Sequence, residues 1–170
     1  MDFENYIQVV EGFPKPGISF KDVSPLLKDA DAYSQAITAL ADLVKGEKID
    51  LVIGPESRGF VFGAPLALKL NAGFVMARKK GKLPGEVVSK TYTLEYNTAC
   101  IELPKFAVKK GERVLIVDDL LATGGTLKAV CDLVHEQGGE VVKALAFIEL
   151  KDLDGKKNLL PYKFESILKL

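Results

Sequence analysis

Val114-Leu115-Ile116-Val117-Asp118-Asp119-Leu120-Leu121-Ala122-Thr123-Gly124-Gly125-Thr126 carries more structural information than any other segment of the chain. Its four leading apolar residues show no alternation, the mark of a central parallel strand covered on both faces. Two carboxylates end that strand, and a turn of small and hydroxyl residues follows. A helical pattern then runs from about Gly125 to Glu136 and closes at Gly138-Gly139. Small residues let the backbone wrap closely around a ligand, and a helix N-terminus presents free N–H groups and a positive dipole end. With the hydroxyls of Thr123 and Thr126, residues Ala122, Thr123, Gly124, Gly125 and Thr126 form a pocket for a phosphate monoester. Asp118 and Asp119 would repel phosphate at contact distance. One sugar away they would accept hydrogen bonds from vicinal ribose hydroxyls and stabilise positive charge at an anomeric carbon. The blander reading is a strand that ends in a capped turn. A generic Gly-Gly-Thr turn fits it; paired acids followed by Ala-Thr-Gly-Gly-Thr are far more specific.

Working outward, Ile49–Ile53 is a short β-branched run stopped by Gly54-Pro55, and an almost wholly apolar helix from about Gly59 to Leu70 is expected to be buried. Phe74–Ala77 reads as a strand, and Val141–Leu150 returns as another. A helix from about Asp31 to Val44 places Tyr33, Ile37, Leu40 and Val44 on one face, with Asp31 as its cap and Gly46 at its end. Near the start, a short amphipathic helix is expected over Phe3–Val10, followed by an irregular Gly12–Gly17 loop with two prolines and two glycines. Strands alternating with helices predict an α/β fold with a mostly parallel central sheet flanked by helices. Ligands in such sheets sit beyond the carboxyl ends of strands, so the loops after Ile53, Ala77 and Val117 matter most.

Lysine plus arginine number 23, and aspartate plus glutamate also number 23, so no chain-wide basic field invites nucleic acid or an anionic membrane. No stretch approaches the ~20 apolar residues of a bilayer-spanning helix. Acidic Asp2 and Glu4 stand where a secretory signal would be basic. Cys100 and Cys131 read as reduced, packed thiols, and the expected location is cytoplasmic. His135, four residues beyond Cys131, could suggest a metal pair, but two residues make no site. The local exception in charge runs from Arg78 to Lys90, with five basic residues against one acid, Glu86. By itself such a run is usually a solvated face. Placed after a sheet strand, it could collect a polyphosphate.

The acid pair and glycine-rich turn resemble the phosphoribosyl-pyrophosphate signature of type I phosphoribosyltransferases. Neither a Walker A nor a G-x-G-x-x-G motif occurs. Three further segments narrow the resemblance to the branch of the family that uses adenine. They are Phe13–Asp22, Gly54-Pro55-Glu56-Ser57-Arg58-Gly59-Phe60, and Arg78–Gly85 followed by Tyr92-Thr93-Leu94-Glu95-Tyr96. The resemblance covers about Phe13 to Leu168 and implies one domain over 1–170, with a hood over the base at 1–28 and a lid and hairpin at 78–103. It implies that Phe20 stacks on the base while backbone groups of Ser19 and Lys21 read its edge. Arg58, in a loop whose Glu56–Ser57 peptide is cis, would meet pyrophosphate together with Lys82. Glu95 would act on the purine as general acid or base, Tyr96 would help close the site, and Arg78 would reach the pyrophosphate of a neighbouring subunit in a homodimer. The implied substrates are adenine and 5-phosphoribosyl 1-pyrophosphate. The implied cofactor is Mg2+, held mainly through substrate oxygens and water and not by protein ligands. Two rivals remain at this point: an enzyme for hypoxanthine, guanine or xanthine, and a non-catalytic regulator that binds phosphoribosyl pyrophosphate. The regulator would need a DNA-reading element, which the sequence does not show, and would have no use for Glu95.

Overall fold

The computed structural model describes residues 1–94 and 97–170. In chain order the elements are β1 (Gln8–Glu11), β2 (Ser19–Asp22), α1 (Ser24–Lys28), α2 (Ala30–Asp42), β3 (Leu51–Pro55), α3 (Arg58–Lys69), β4 (Gly73–Lys79), β5 (Val87–Thr93), β6 (Thr98–Pro104), β7 (Arg113–Leu121), α4 (Gly125–Glu136), β8 (Glu140–Glu149) and β9 (Phe164–Lys169), with short 3-10 turns between some of them. Seven strands form the main sheet in the order β5-β6-β4-β3-β7-β8-β9. The β4-β3-β7-β8-β9 portion is parallel, and the β5–β6 hairpin adds an antiparallel edge. The α/β expectation holds.

Central burial follows from strand periodicity. Val114 and Ile116 of β7 face a core shared with α4, while Leu115 and Val117 face the opposite core shared with α2 and α3. β3 divides in the same way, with Leu51 and Ile53 on one side and Val52 on the other. A strand that must fill two cores has no polar face, which is why its sequence does not alternate. On the α2–α3 side, Phe62 stacks on Phe147 with ring centroids 5.3 Å apart.

Several expectations are corrected. The helix expected over Phe3–Val10 is a 3-10 turn at Phe3–Tyr6 followed by strand β1. Ile7, Val9 and Val10 are β-branched and favour extended backbone, and β2 supplies partners, with Val10 opposite Phe20. Helix α2 is capped by Asp29, whose carboxylate accepts from the Ala32 N–H at 2.9 Å, and not by Asp31. Helix α3 buries one face only: Phe62, Leu66 and Ala67 lie under the sheet while Leu68 is 83% exposed. An outer-layer helix has one stripe against the sheet whatever its composition. Finally, β7 continues through the acids to Leu121, so Asp118 and Asp119 lie within the strand; β8 pairs with it beyond Asp118, at Leu120 and Leu121.

β3 has β4 on one side and β7 on the other. The chain therefore leaves β3 in one direction and returns on its far flank, which opens a crevice at the carboxyl ends of the strands. The loop after β3 turns tightly into α3: a β-carbon added at Gly54 would stand 2.5 Å from the Gly59 carbonyl oxygen. That contact is backbone and cannot rotate away. Gly54→Ala is expected to cost about 3 kcal/mol by overpacking. For a chain of this size the thermal midpoint should fall by about 6–12 °C, and an unchanged midpoint in a calorimetric scan would contradict the contact.

Candidate active site

Three strand ends build the cleft. Glu56, Ser57 and Arg58 come from the end of β3 and the start of α3, Lys79 from the end of β4, Asp118, Asp119 and Leu120 from β7, and Thr126 from the first turn of α4. The cleft holds about 270 Å³.

The Asp119 side chain is only 6% exposed, and its Oδ2 accepts a charged hydrogen bond from Arg58 Nε. Burial works against the charge on Arg58, but Asp119, Asp118 and Asp22 outweigh it and raise its pKa. The Arg58 guanidinium also sits 5.2 Å from the centroid of the Phe20 ring, within cation–π range. Arg58 thus joins the β1–β2 ribbon to the acid pair. Asp118 Oδ1 accepts from the Asp119 N–H at 2.8 Å. Desolvation, and then the neighbouring Asp119 charge, push the Asp118 carboxyl well above the usual carboxylate range. An edge of Asp118 still opens on the cleft. An acid pair in which one member resists ionisation is poised to receive positive charge or hydroxyl donors.

Around this centre, Phe20 lies in β2 and packs edge-to-face on Phe13 with centroids 5.2 Å apart. Ser19 Oγ donates to Glu11 Oε1 at 2.9 Å and receives Lys21 Nζ at 3.4 Å, so β1 and β2 are tied to each other through side chains as well as backbone. The peptides Glu56–Ser57, Phe13–Pro14 and Leu160–Pro161 are cis. Arg78 Nε stands 3.4 Å from Glu56 Oε1, and its Nη1 donates to the Lys82 carbonyl at 3.4 Å. Glu56 Oε1 also accepts from the Lys79 N–H at 2.7 Å. The turn between Arg78 and Lys82 is fixed from the far side by the Gly81 N–H, which donates to the buried Glu102 at 3.1 Å.

The structure therefore brings Arg58, Asp118, Asp119 and Thr126 together, with Phe20 one contact away through Arg58. Thr123 and Gly125 border a neighbouring groove between β5 and α4, of about 250 Å³, while Ala122 and Gly124 complete the turn between β7 and α4. Arg78 and Lys82 sit beside the cleft, and Lys79 lines it. Glu95 and Tyr96 lie outside the described residues. Glu56 and Lys79 also line the cleft, where sequence marks Glu56 only through its cis peptide and Lys79 only as one cation of the 78–90 run. Their signal was positional: each stands at the carboxyl end of a strand that flanks the crevice.

Comparison with known proteins identifies the family. The profile of the phosphoribosyl transferase domain family matches residues 22–167. An adenine phosphoribosyltransferase of Clostridium acetobutylicum is 52% identical over 169 residues, spanning 99% of this chain and 98% of its own. The crystal structure of the adenine phosphoribosyltransferase from Thermoanaerobacter pseudethanolicus superposes with a TM-score of 0.97 at 50% identity, covering 99% of this chain and 98% of that one. The Saccharomyces cerevisiae enzyme, complexed with an imino-altritol bisphosphate and adenine, superposes with a TM-score of 0.92 at 36% identity over 98% of this chain and 97% of its own. With a strand-borne acid pair beside a small-residue turn and relatives this similar over nearly its whole length, the chain belongs to the phosphoribosyltransferase family, among its adenine phosphoribosyltransferases.

Proposed function

We propose that the chain transfers phosphoribose from 5-phosphoribosyl 1-pyrophosphate to adenine, giving AMP and pyrophosphate. The observation that carries this reading is the meeting of Arg58, Asp118, Asp119 and Thr126 in one cleft, under a hood that offers Phe20. The bond from the anomeric carbon to pyrophosphate breaks as a purine nitrogen takes its place, through an oxocarbenium-like transition state. Asp118 and Asp119 hold the ribose hydroxyls in line and face the developing positive charge. The turn from Ala122 to Thr126, with Gly124 and Gly125 at its centre, offers backbone N–H groups and the Thr123 and Thr126 hydroxyls to the 5-phosphate at the α4 N-terminus. Arg58 neutralises the departing pyrophosphate, with Lys82 beside it and Arg78 serving a neighbouring subunit. Phe20 stacks on adenine, and Ser19 and Lys21 read its edge.

Glu56, Asp118 and Asp119 give the cleft hard oxygen donors, which suit Mg2+. Among the described residues no three such groups converge as a metal site, so the ion would be held mainly by substrate oxygens and water. When bound it would supply positive charge to the leaving group. We assign residues 1–28 as the hood and 78–103 as the lid and hairpin of one domain spanning 1–170. A homodimer follows from the role given to Arg78. Cytoplasmic location is supported by two free cysteines, Cys100 and the buried Cys131. Among the described residues no helix is long and apolar enough to cross a membrane.

Glu95 and Tyr96 keep the roles that the resemblance gives them: proton transfer to or from the purine, and closure against water. Glu95→Gln is expected to lower kcat by about 10²-fold or more with little change in either KM, because its work belongs to the transition state. Steady-state kinetics would contradict the role if the effect were confined to KM. The proposal as a whole is tested by release of pyrophosphate when phosphoribosyl pyrophosphate is mixed with each purine in turn. Adenine should turn over fastest. Faster turnover of guanine or xanthine would overturn the specificity, and binding without turnover would point to a regulator.

A further inference from the structure

The turn at 122–126 is gripped from outside by residues far from it in sequence. The 3-10 segment Gly155–Leu159, between β8 and β9, lies directly against its outer side. A β-carbon at Gly155 would fall 2.1 Å from the Ala122 carbonyl oxygen and 3.0 Å from the Thr123 carbonyl carbon, so only glycine permits this approach. The fit is reciprocal: Gly124, in the left-handed region at φ 88°, has its Cβ direction 2.6 Å from the Gly155 carbonyl oxygen. Asn158 Nδ2 donates to the Thr123 carbonyl at 2.7 Å, and Leu159 next to it is fully buried, which anchors the segment. On the other side, the Tyr92 hydroxyl of β5 bonds Thr126 Oγ1 at 2.9 Å, and its ring stands 3.0 Å from where a Gly125 β-carbon would lie.

A turn whose amides must converge on one anion has to be held in that shape before the anion arrives; otherwise binding is weakened by the entropy of ordering it. Carbonyls in such a turn are the hazard, because a peptide flip would aim an oxygen at the phosphate. Asn158 engages one of these carbonyls from outside, at Thr123, and Gly155 packs against another, at Ala122. When Tyr92 donates to Thr126 Oγ1, the threonine proton is left free to point at a ligand oxygen.

We infer that Asn158, Gly155 and Tyr92 are positioning residues that hold the phosphate turn in its binding shape. The inference rests on the reading of that turn as the 5-phosphate subsite. Sequence does not single out Gly155 or Asn158 and marks Tyr92 only as the first residue of the Tyr92–Tyr96 segment, with no role of its own; each of the three acts through the turn.

The test compares two probes by isothermal titration calorimetry on the intact protein: ribose 5-phosphate, which needs the turn, and pyrophosphate, which needs the Arg58 side of the cleft. Asn158→Asp keeps the shape of an exposed side chain but sets a carboxylate oxygen against the Thr123 carbonyl, and Tyr92→Phe removes only a hydroxyl. Each is expected to weaken ribose 5-phosphate by about fivefold or more, the worth of one lost hydrogen bond, with pyrophosphate affinity retained and the thermal midpoint lowered by no more than about 2–4 °C. In steady state, KM for phosphoribosyl pyrophosphate should rise while KM for adenine stays. Gly155→Ala should do more, and the two milder variants decide the matter if it fails to fold. Unchanged ribose 5-phosphate affinity in both milder variants, or parallel loss of both probes, would overturn the positioning role alone. Failure of the unmodified chain to bind ribose 5-phosphate would overturn the phosphate reading of the turn, and the inference with it.

Discussion

Replacing Asp118 and Asp119 together by asparagine is expected to lower kcat/KM for phosphoribosyl pyrophosphate by about 10³-fold or more while the chain stays folded. The two carboxylates lie in β7 at the floor of the cleft, where removal of water strengthens their interaction with positive charge. Asparagine keeps the size and an acceptor oxygen, so the Asp119 N–H keeps a partner at position 118. What disappears is charge. Asp118→Asn alone carries a signed stability consequence. Burial, and then Asp119, raise the Asp118 pKa in the folded chain above its unfolded value. The folded state therefore holds that proton more tightly, and ionisation destabilises it as pH climbs from the ordinary carboxylate range towards the raised folded value. Asparagine has no charge to bury. The thermal midpoint of Asp118→Asn should thus exceed that of the unmodified chain by a margin that widens with pH and closes in acid, together with reduced turnover. A midpoint difference independent of pH would contradict the raised pKa, and near-normal activity of the double variant would contradict the ribose role.

The second large effect is expected at Arg58. Its guanidinium spans from the Phe20 ring, 5.2 Å from the centroid, to the nearly buried Asp119. Arg58→Ala strips the only charge-assisted partner that Asp119 makes among the described residues and removes a fork suited to pyrophosphate. A loss of about 10²–10³-fold in kcat/KM is expected, with the rise in KM falling on phosphoribosyl pyrophosphate more than on adenine. Arg58→Lys should recover only part of it, because an ammonium cannot reproduce the planar two-pronged donor. Full recovery by lysine would reduce Arg58 to a point charge, and no loss in alanine would remove it from the site.

How far the sequence reveals this arrangement depends on how local the information is. The β7–α4 unit was legible because its signals are local: an uninterrupted apolar strand, two acids, then small residues opening a helix. The α/β class followed from alternation of such units. The Phe3–Val10 segment differs from its expected helix because Ile7, Val9 and Val10 also suit one face of a helix, and extended backbone prevails only once β2 pairs with β1. The antiparallel β5–β6 edge was visible only as a basic run and a family likeness, since half-exposed edge strands have weak patterns. Arg58 was picked for its chemistry, but its bridge between Phe20 and Asp119 joins segments that only the folded chain brings together. Gly155 and Asn158 carry no signal, because packing against a turn from a distant segment leaves no local trace, and Tyr92 stands in a marked segment whose bond to Thr126 only the folded chain reveals.

A crystal structure of the chain soaked with AMP would test the central claim most directly. Density should place the phosphate at the amides of residues 123–126, the ribose hydroxyls at Asp118 and Asp119, and the adenine ring on Phe20, with Arg58 drawn away from its resting contact. Nucleotide density elsewhere on the molecule, with the turn left empty at saturating AMP, would contradict the account.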